Sequence, residues 1–374
     1  MSHILKRVIA IALSFSLFIP IVSTQAYIAR KPNIEVCFVL DTTGSMGGLI
    51  SGAKRKIWYI ANQIASARQT PNVKFCLIGF RDRGDVYVTK KFQMTDDLDS
   101  IYQNLQSFQA QGGGDTPESV NQALYEAVKN IGWSKKRNTL RVIFLVGDSP
   151  PHMDYQDDVK YYKVAMMAKR KDIIINTIQA GSNYRTTPIW KEIAQLTNGA
   201  YSAIPQSGGV TIIITPYDTG IARLNRRIGS TIIPWGSEKR RRFTMEKQAR
   251  SEAAPVSSAS DRIAYNRATN KVVQGGGDLI QDIREGKVKM GSVKDKYLPA
   301  KMRPMSKPQR MAYINKQGKK RMALQQQVSV LVKKREAYIR AERKKRAKGG
   351  KIDAFDEEVA RTIRKQAIRK GIKY

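Results

Sequence analysis

Short apolar runs alternate with longer amphipathic stretches along the first half of the chain. Runs rich in β-branched residues lie at 34–40, 73–80, 86–92, 140–146, 173–179 and 201–204. Between them, stretches at 49–65, 98–108, 117–131, 159–170 and 189–196 carry amphipathic patterns of helical length. Strands and helices that alternate in this order predict an α/β fold with a doubly wound, mostly parallel sheet.

The alternation stops after Arg227, and the second half of the chain has helical patterns only. Residues 231–260 contain a basic run and a stretch of Ala, Ser and Pro, which is typical of a linker. In 261–374, Ser306 and Gln309 form a capping box, and Gly371 ends the last helix. A narrow apolar stripe predicts a basic helical hairpin or coiled coil that folds back on the α/β domain, which we place at 27–230.

The amino terminus has the pattern of a secretory signal peptide. Lys6 and Arg7 precede an apolar run at 8–22, and small residues lead up to Ala26. An uncleaved membrane anchor is the alternative, but this run is short for a span and is interrupted by Pro20. We expect residues 1–26 to be removed and the protein to be exported, either to the periplasm or to the medium.

The charge of the chain lies mainly in its second half. The formal net charge is +35, and residues 221–374 contain 41 basic and 14 acidic residues, a net charge of +27. A solvated helix face or an acidic protein partner is the first expectation for this basic region, and an anionic envelope surface is the second. Nucleic acid is the third, because aromatic residues for stacking on bases are few and scattered.

The two cysteines, Cys37 and Cys76, each lie inside a predicted strand. In-register neighbours on parallel strands hold their Cβ atoms about 5 Å apart, which is longer than a disulfide prefers. We therefore expect buried free thiols, with a disulfide as the alternative that an oxidising compartment would permit.

Polar residues follow two predicted strands and fill one glycine-rich turn. The first strand ends in Asp41-Thr-Thr43-Gly-Ser45, a later strand ends at Asp148, and Thr116 follows three glycines. Ligands of doubly wound sheets bind at the carboxyl ends of the strands, where the strand order reverses. We therefore expect these three segments to converge on one crevice between the first and fourth strands.

These five residues resemble the metal-ion-dependent adhesion site of von Willebrand factor A (vWA) domains. The resemblance covers about residues 33 to 220, implies a Rossmann-like fold, and is closest to bacterial branches of the family. It implies that Thr43, Ser45 and Thr116 contact Mg²⁺ or Mn²⁺ or its waters, while Asp41 and Asp148 act largely through water and hydrogen bonds. Thr43 stands where the common pattern has Ser, and the threonine side chain retains the hydroxyl group.

Hard divalent ions prefer such oxygen ligands and readily keep waters. In the family, a free coordination position typically takes an Asp or Glu side chain of a protein partner. The resemblance therefore implies an exported, metal-dependent binding module rather than an enzyme. One alternative is an accessory subunit of an ATPase or chelatase assembly, and another is binding to nucleic acid or an anionic surface through the basic tail alone. A hydrolase would need a base that the sequence does not offer.

Other motifs have simpler interpretations. His152 lacks the partners of a catalytic triad and is expected to be structural or to lie at the rim of the site. Arg83-Gly84-Asp85 is expected to be a turn between two strands. Gly275 to Gly277 are expected to form a turn before a helix capped by Asp278. Asp115 is either an additional metal ligand or a turn residue.

Overall fold

Residues 31–114, 116–350 and 355–374 are described by a computed structural model, and they contain one sheet of six strands. The strands are β1 (Asn33–Asp41), β2 (Asn72–Phe80), β3 (Thr89–Thr95), β4 (Thr139–Gly147), β5 (Ile173–Ala180) and β6 (Tyr201–Ile204). Their order is β3-β2-β1-β4-β5-β6, and β3 is the antiparallel edge strand. The predicted signal peptide and Asp115 lie outside the described residues. The predicted fold class is confirmed.

The central strands are buried on both faces. Every residue of β4 is buried, and so is every residue of β1 after Asn33. Continuous apolar runs of this kind are expected for parallel strands covered by helices on both sides. The order of the chain reverses between β1 and β4, which pair in parallel from Asn33 and Thr139 onward. Their carboxyl ends, at Asp41 and Gly147, therefore lie side by side.

Helices cover both faces of the sheet. They are α1 (Gly47–Ala65), α2 (Leu98–Gln106), α3 (Val120–Tyr125), which a π-helical turn (Glu126–Asn130) continues, α4 (Tyr161–Arg170) and α5 (Thr186–Leu196). One core joins α1 and α2 to residues such as Phe38 and Phe144. The other core joins α3, α4 and α5 to residues such as Val39 and Ile143. Alternate side chains of each central strand thus enter opposite cores, as strand geometry requires.

The second half of the chain is helical and packs on the α/β part. Its helices are α6 (Asp218–Gly229), α7 (Glu238–Ala253), α8 (Val256–Thr269), α9 (Leu279–Arg284), α10 (Lys307–Lys348) and α11 (Phe355–Ile368). On α11, Phe355, Val359 and Ile363 are buried in the same core as Phe38 of the sheet. The predicted fold-back on the α/β domain is therefore correct, and a coiled coil stays a prediction. None of the helices in the described ranges is long and apolar enough to cross a bilayer.

The prediction of a linker at 231–260 is wrong, because this segment is largely helical. These residues contain α7 and the beginning of α8, and α8 packs against α1. Two ion pairs hold α7 and α8 to the start of α2: Lys247 bonds Asp97, and Arg262 Nε lies 2.7 Å from Asp99 Oδ1. Ser258, Ala259 and Ser260 of the stretch that suggested a loop are buried where α8 packs on its neighbours, and Pro255 occupies the position just before this helix.

The prediction of free thiols is also wrong, because Cys37 and Cys76 form a disulfide. The two residues are direct partners on β1 and β2, and their Cα atoms are 4.5 Å apart. That separation lies within the range that a disulfide spans. The prediction took the mean spacing of neighbouring strands, whereas the strands approach more closely at this pair.

The long helix α10 begins as predicted and turns several of its basic residues inward. Ser306 and Gln309 form the capping box at its start. Leu324 and Val328 pack in a core shared with α6 and α8. In the same interface, Arg335 lies 2.6 Å from both Asp218 and Asp261. Part of the positive charge of the second half is therefore neutralised inside the molecule, while the outward face of α10 stays basic.

Candidate functional site

The loop after β1 is organised by Asp41. Its Oδ1 accepts hydrogen bonds from the backbone amide of Thr43, at 2.9 Å, and from Thr43 Oγ1, at 2.6 Å. Thr43 Oγ1 is in turn 3.4 Å from Ser45 Oγ. The alternating spacing of the motif thus brings one carboxylate and two hydroxyls together at the end of a buried strand, as predicted.

The glycine-rich turn comes close to this loop because it lacks side chains. Gly112 and Gly113 have φ values of +77° and +75°, and the Gly112 carbonyl accepts a hydrogen bond from Gly44 N at 3.0 Å. A Cβ on Gly113 would lie 2.8 Å from Cβ of Thr43. Only glycine combines this backbone conformation with such close packing. The turn carries Thr116 to the site.

The third segment follows β4. Asp148 Oδ1 accepts a hydrogen bond from Ser149 Oγ at 3.1 Å, and Thr186 Oγ1 donates to the Asp148 carbonyl at 2.9 Å. Gln206, which follows β6, donates from Nε2 to Asp148 Oδ2 at 2.6 Å and to the Ser45 carbonyl at 3.3 Å. Gln206 was not predicted, since its position depends on the loop after the edge strand.

The three segments enclose a cavity of about 240 Å³ at the carboxyl edge of the sheet. Thr43, Ser45, Thr116 and Asp148 line it, whereas Asp41 lies behind it against Gly147. The structure therefore brings the five predicted residues to one place. Their role as metal ligands stays a prediction.

Glu118 belongs to the site but was not among the residues predicted from the sequence. It lines the same cavity, is only 3% exposed, and its Oε2 has no hydrogen-bond partner. Its backbone is fixed by hydrogen bonds to Pro150 and His152 in the loop after β4. The available signal was its position two residues after Thr116, on a turn already assigned to the site.

The site concentrates negative charge within a basic protein. Burial, together with the nearby Asp148 carboxylate, raises the pKa of Asp41 to about 7, against the opposing effect of the hydrogen bonds from Thr43. Burial raises the pKa of Glu118 to about 9, together with the charges of Asp41, Asp82 and Asp148. Carboxylates crowded in this way retain protons unless a cation compensates their charge.

The side chains present fit a hard divalent cation. Asp41 Oδ2 and Glu118 Oε2 are both buried without a hydrogen-bond partner, which is costly for a carboxylate. Within the described residues, no three His, Cys, Asp or Glu side chains form a metal cluster by themselves. Hydroxyls of Thr43, Ser45 and Thr116 would therefore complete the oxygen set, which suits Mg²⁺ or Mn²⁺.

His152 is structural, as expected. It is buried, and its ring nitrogens lie 3.1 Å from Asp82 Oδ2 and 2.8 Å from Asp154 Oδ1. Tyr155 stacks on the ring and donates to Asp82 at 2.9 Å. Asp82 also accepts a hydrogen bond from Ser119, so the group clamps the loop after β4 to the loop after β2.

The two other motifs also have the predicted structural roles. Gly84 adopts a φ of +91° in the turn between β2 and β3, beside Asp85, whose Oδ2 accepts from Gly113 N at 3.1 Å. Asp278 caps α9 by accepting a hydrogen bond from the amide of Gln281, and the preceding glycines all have positive φ.

The family profile of the von Willebrand factor A domain matches residues 35–216. Von Willebrand factor A domain-containing protein 7 of Homo sapiens is 39% identical over 99 residues, which are 26% of this chain and 10% of the human protein. The Mus musculus protein of the same name is 30% identical over 188 residues, 49% of this chain and 19% of that protein. The chain thus spans between a tenth and a fifth of these curated relatives.

Among solved structures, proximal thread matrix protein 1 from the mussel byssus, with a zinc-occupied MIDAS motif, is similar at 14% identity and a TM-score of 0.38. The match covers 47% of this chain and 42% of that one. From the family profile and the observed sheet, the chain contains a von Willebrand factor A domain, as predicted. Domains of this family often mediate protein–protein interactions.

Proposed function

We propose that this vWA domain binds an acidic side chain of a protein partner through a divalent cation. Thr43, Ser45 and Thr116 would supply hydroxyl ligands, and Asp41 and Asp148 would neutralise and orient the site. The bound cation would supply a positive centre for an incoming carboxylate. We further propose that the protein acts outside the cytoplasm and as a binding protein, not as an enzyme.

The observation that carries this proposal is the pair of buried, unpartnered carboxylate oxygens, Asp41 Oδ2 and Glu118 Oε2. Asp41 accepts a hydrogen bond from the Thr43 hydroxyl, and Glu118 lines the same cavity as Thr43, Ser45 and Thr116 at the carboxyl edge of the sheet. A site without a cation leaves these oxygens desolvated and uncompensated, which is unfavourable. A cation would satisfy both charges with ligands that are already in place.

The geometry also favours an external ligand. The cavity is open at the surface, and Ser45 and Thr116 are exposed at its mouth while Asp41 and Thr43 are buried beneath. Neutral hydroxyl ligands leave a cation more electrophilic than carboxylate ligands do, which favours binding of a further anion. An Asp or Glu side chain is the protein group with that chemistry.

The test compares binding of an immobilised polyaspartate peptide and its asparagine counterpart to the full chain, in Mg²⁺ and in EDTA. We expect binding of the aspartate peptide that needs Mg²⁺. Ser45→Ala should weaken it at least about tenfold, the loss of a charge-assisted contact. Ser66→Ala removes an exposed serine on another surface and should leave it unchanged. Binding that is equal in EDTA would contradict the proposal, because the chain's net charge alone would then explain it.

A second candidate function is contact with an anionic surface through α10. Positions 319, 333, 340, 344 and 348 of this helix are basic, exposed and opposite its buried seam. Electrostatic binding of this kind would persist in EDTA and decline steeply with salt. Sedimentation with anionic and neutral vesicles at two salt concentrations tests it, and equal sedimentation with both vesicle types would exclude it.

A further inference from the structure

A basic groove lies at the opposite edge of the sheet from the proposed metal site. It is formed at the amino ends of β4 and β5, next to Thr139 and Ile173, and its volume is about 610 Å³. Asp41 and Asp148 lie at the carboxyl ends of the strands, so a ligand in this groove would not reach them. The groove therefore does not depend on the proposed metal-dependent function.

The floor of the groove is apolar and firmly held. Trp133 and Ile131 line it, and the Trp133 indole donates from Nε1 to the Ala127 carbonyl at 2.8 Å. The Trp133 backbone amide also bonds the Ile131 carbonyl at 3.0 Å. The indole is half-buried, so one part of this anchored ring remains available to a ligand.

The rim of the groove is cationic and largely uncompensated. Lys135, Arg137 and Arg170 line it, are exposed, and have no acidic partner within 4.0 Å in the described part of the chain. The lining contains one acidic residue, Asp172, and it is already paired with Arg141 at 3.3 Å and Lys370 at 2.8 Å. The groove therefore presents free positive charge and no free negative charge.

The remaining basic groups of the lining hold the groove in shape. Arg141 donates to the carbonyls of Ser134 and Lys136, at 2.7 Å and 2.6 Å. Lys171 donates to the Val128 carbonyl at 2.8 Å. The Arg141 bonds tie the segment before β4 to that strand, and the Lys171 bond ties the end of α4 to the π-helical turn. Lys135 and Arg137 therefore stand on a braced loop, and Arg170 stands on the last turn of α4.

We propose that this groove binds an acidic peptide segment that carries one large apolar side chain. The apolar side chain would pack on Trp133, and neighbouring carboxylates would contact Lys135, Arg137 and Arg170. Binding hot spots are enriched in Trp and Arg, and complementary charges favour association with an acidic partner. A single aromatic suits one anchor side chain, whereas sequence-tolerant binding of single-stranded nucleic acid stacks successive bases on several aromatics.

The experiment measures fluorescence polarisation of a labelled octapeptide of Asp and Glu with one central Phe, on the full chain in EDTA. EDTA removes divalent cations from the proposed metal site. The result therefore tests the groove separately from the proposed metal-dependent function. The double variant Arg137→Glu/Arg170→Glu should weaken peptide binding at least about tenfold, because it reverses the charge at two positions of the rim. The matched control, Lys239→Glu/Lys294→Glu, changes two exposed lysines outside the groove lining, alters the net charge equally and should weaken binding less than about threefold.

A second peptide with Ala in place of Phe tests the aromatic floor and should bind at least about fivefold more weakly. Equal losses in the two double variants would overturn the proposal, since only long-range attraction would then operate. Equal binding of the Phe and Ala peptides would also overturn it. So would tighter binding of a single-stranded oligonucleotide that displaces the peptide from the groove.

Discussion

Gln206 Nε2 and Asp148 Oδ2 are joined by a 2.6 Å hydrogen bond across the mouth of the proposed metal site. The same amide nitrogen lies 3.3 Å from the Ser45 carbonyl. Gly181 makes room for the Gln206 side chain, because a Cβ there would lie 2.3 Å from Gln206 Oε1. Gln206 therefore connects the loops after β1, β4, β5 and β6 through one side chain.

Removing the Gln206 amide should strengthen metal binding. The amide occupies an oxygen of Asp148 that the metal's ligands or waters would otherwise use. Gln206→Ala should therefore increase Mg²⁺ affinity by about fivefold, about 1 kcal/mol for a modest hydrogen bond. Isothermal titration calorimetry measures it, with Gln326→Ala on the exposed face of α10 as the control. A decrease in affinity would show that Gln206 supports the site.

Glu118 should make the stability of the metal-free protein depend on pH. Its folded-state pKa is raised to about 9, so the folded protein holds a proton that the unfolded chain releases near its ordinary value. Linkage then requires that its contribution to stability falls as pH rises from about 5 to 9. Glu118→Gln should flatten this part of the slope, measured by urea denaturation at several pH values in EDTA.

The same titration predicts the pH dependence of metal binding. Protons on Asp41 and Glu118 compete with a cation, so Mg²⁺ affinity should rise with pH across the interval around the two pKa values, about 7 and about 9. The Glu118→Gln variant should retain only the step belonging to Asp41. If the variant and the wild-type protein have identical pH profiles, Glu118 is not part of the site.

The disulfide between Cys37 and Cys76 should be a stabilising link between β1 and β2. Replacing both residues by Ala removes a crosslink that closes a segment of 39 residues. The loss should lower the free energy of unfolding by about 3 kcal/mol. Chemical denaturation measures this change, and thiol labelling of the denatured, unreduced wild-type protein should detect no free thiol. Full labelling would show that the two cysteines are reduced.

Arg335 should contribute far more to stability than an exposed basic residue of α10. It pairs with both Asp218 and Asp261 inside the interface of α6, α8 and α10. Arg335→Ala leaves two buried carboxylates without their cation and should destabilise the protein by about 3–5 kcal/mol. Arg340→Ala, an exposed change on the same helix, should cost less than about 0.5 kcal/mol. Equal effects of the two changes would contradict a structural role of the buried arginine.

The fold was predictable because its main signals are local. Apolar runs, helical periods and the capping box at Ser306 each follow from residues close together in the chain. The helices α7 and α8 were not predictable, because distant partners hold them in place, as in the pair of Arg262 with Asp99. The Cys37–Cys76 bond was missed for a similar reason, since it depends on how closely two strands approach at one position.

The site was predictable only in part. The residues of its motif lie at fixed spacing after β1, so Asp41, Thr43 and Ser45 could be placed together from sequence. Glu118 lies on a turn that was already assigned to the site, but its burial in the cavity became visible only in the structure. Gln206 became recognisable only when its neighbours in space were known, because it reaches Asp148 from a different loop. No local pattern distinguishes a glutamate or glutamine in a metal site from one in a turn.

Asp41 and its neighbours are proposed to bind a divalent cation, on which the proposed function depends. The most direct measurement is the thermal unfolding of the full chain with and without Mg²⁺ or Mn²⁺, beside Asp41→Asn and the exposed control Asp157→Asn. A ligand that binds only the folded state stabilises it, by about 2.7 kcal/mol at a hundred times its Kd. Metal should raise the Tm of the wild-type protein and of the control, and should not raise that of Asp41→Asn. An equal Tm with and without millimolar metal in all three proteins would contradict it.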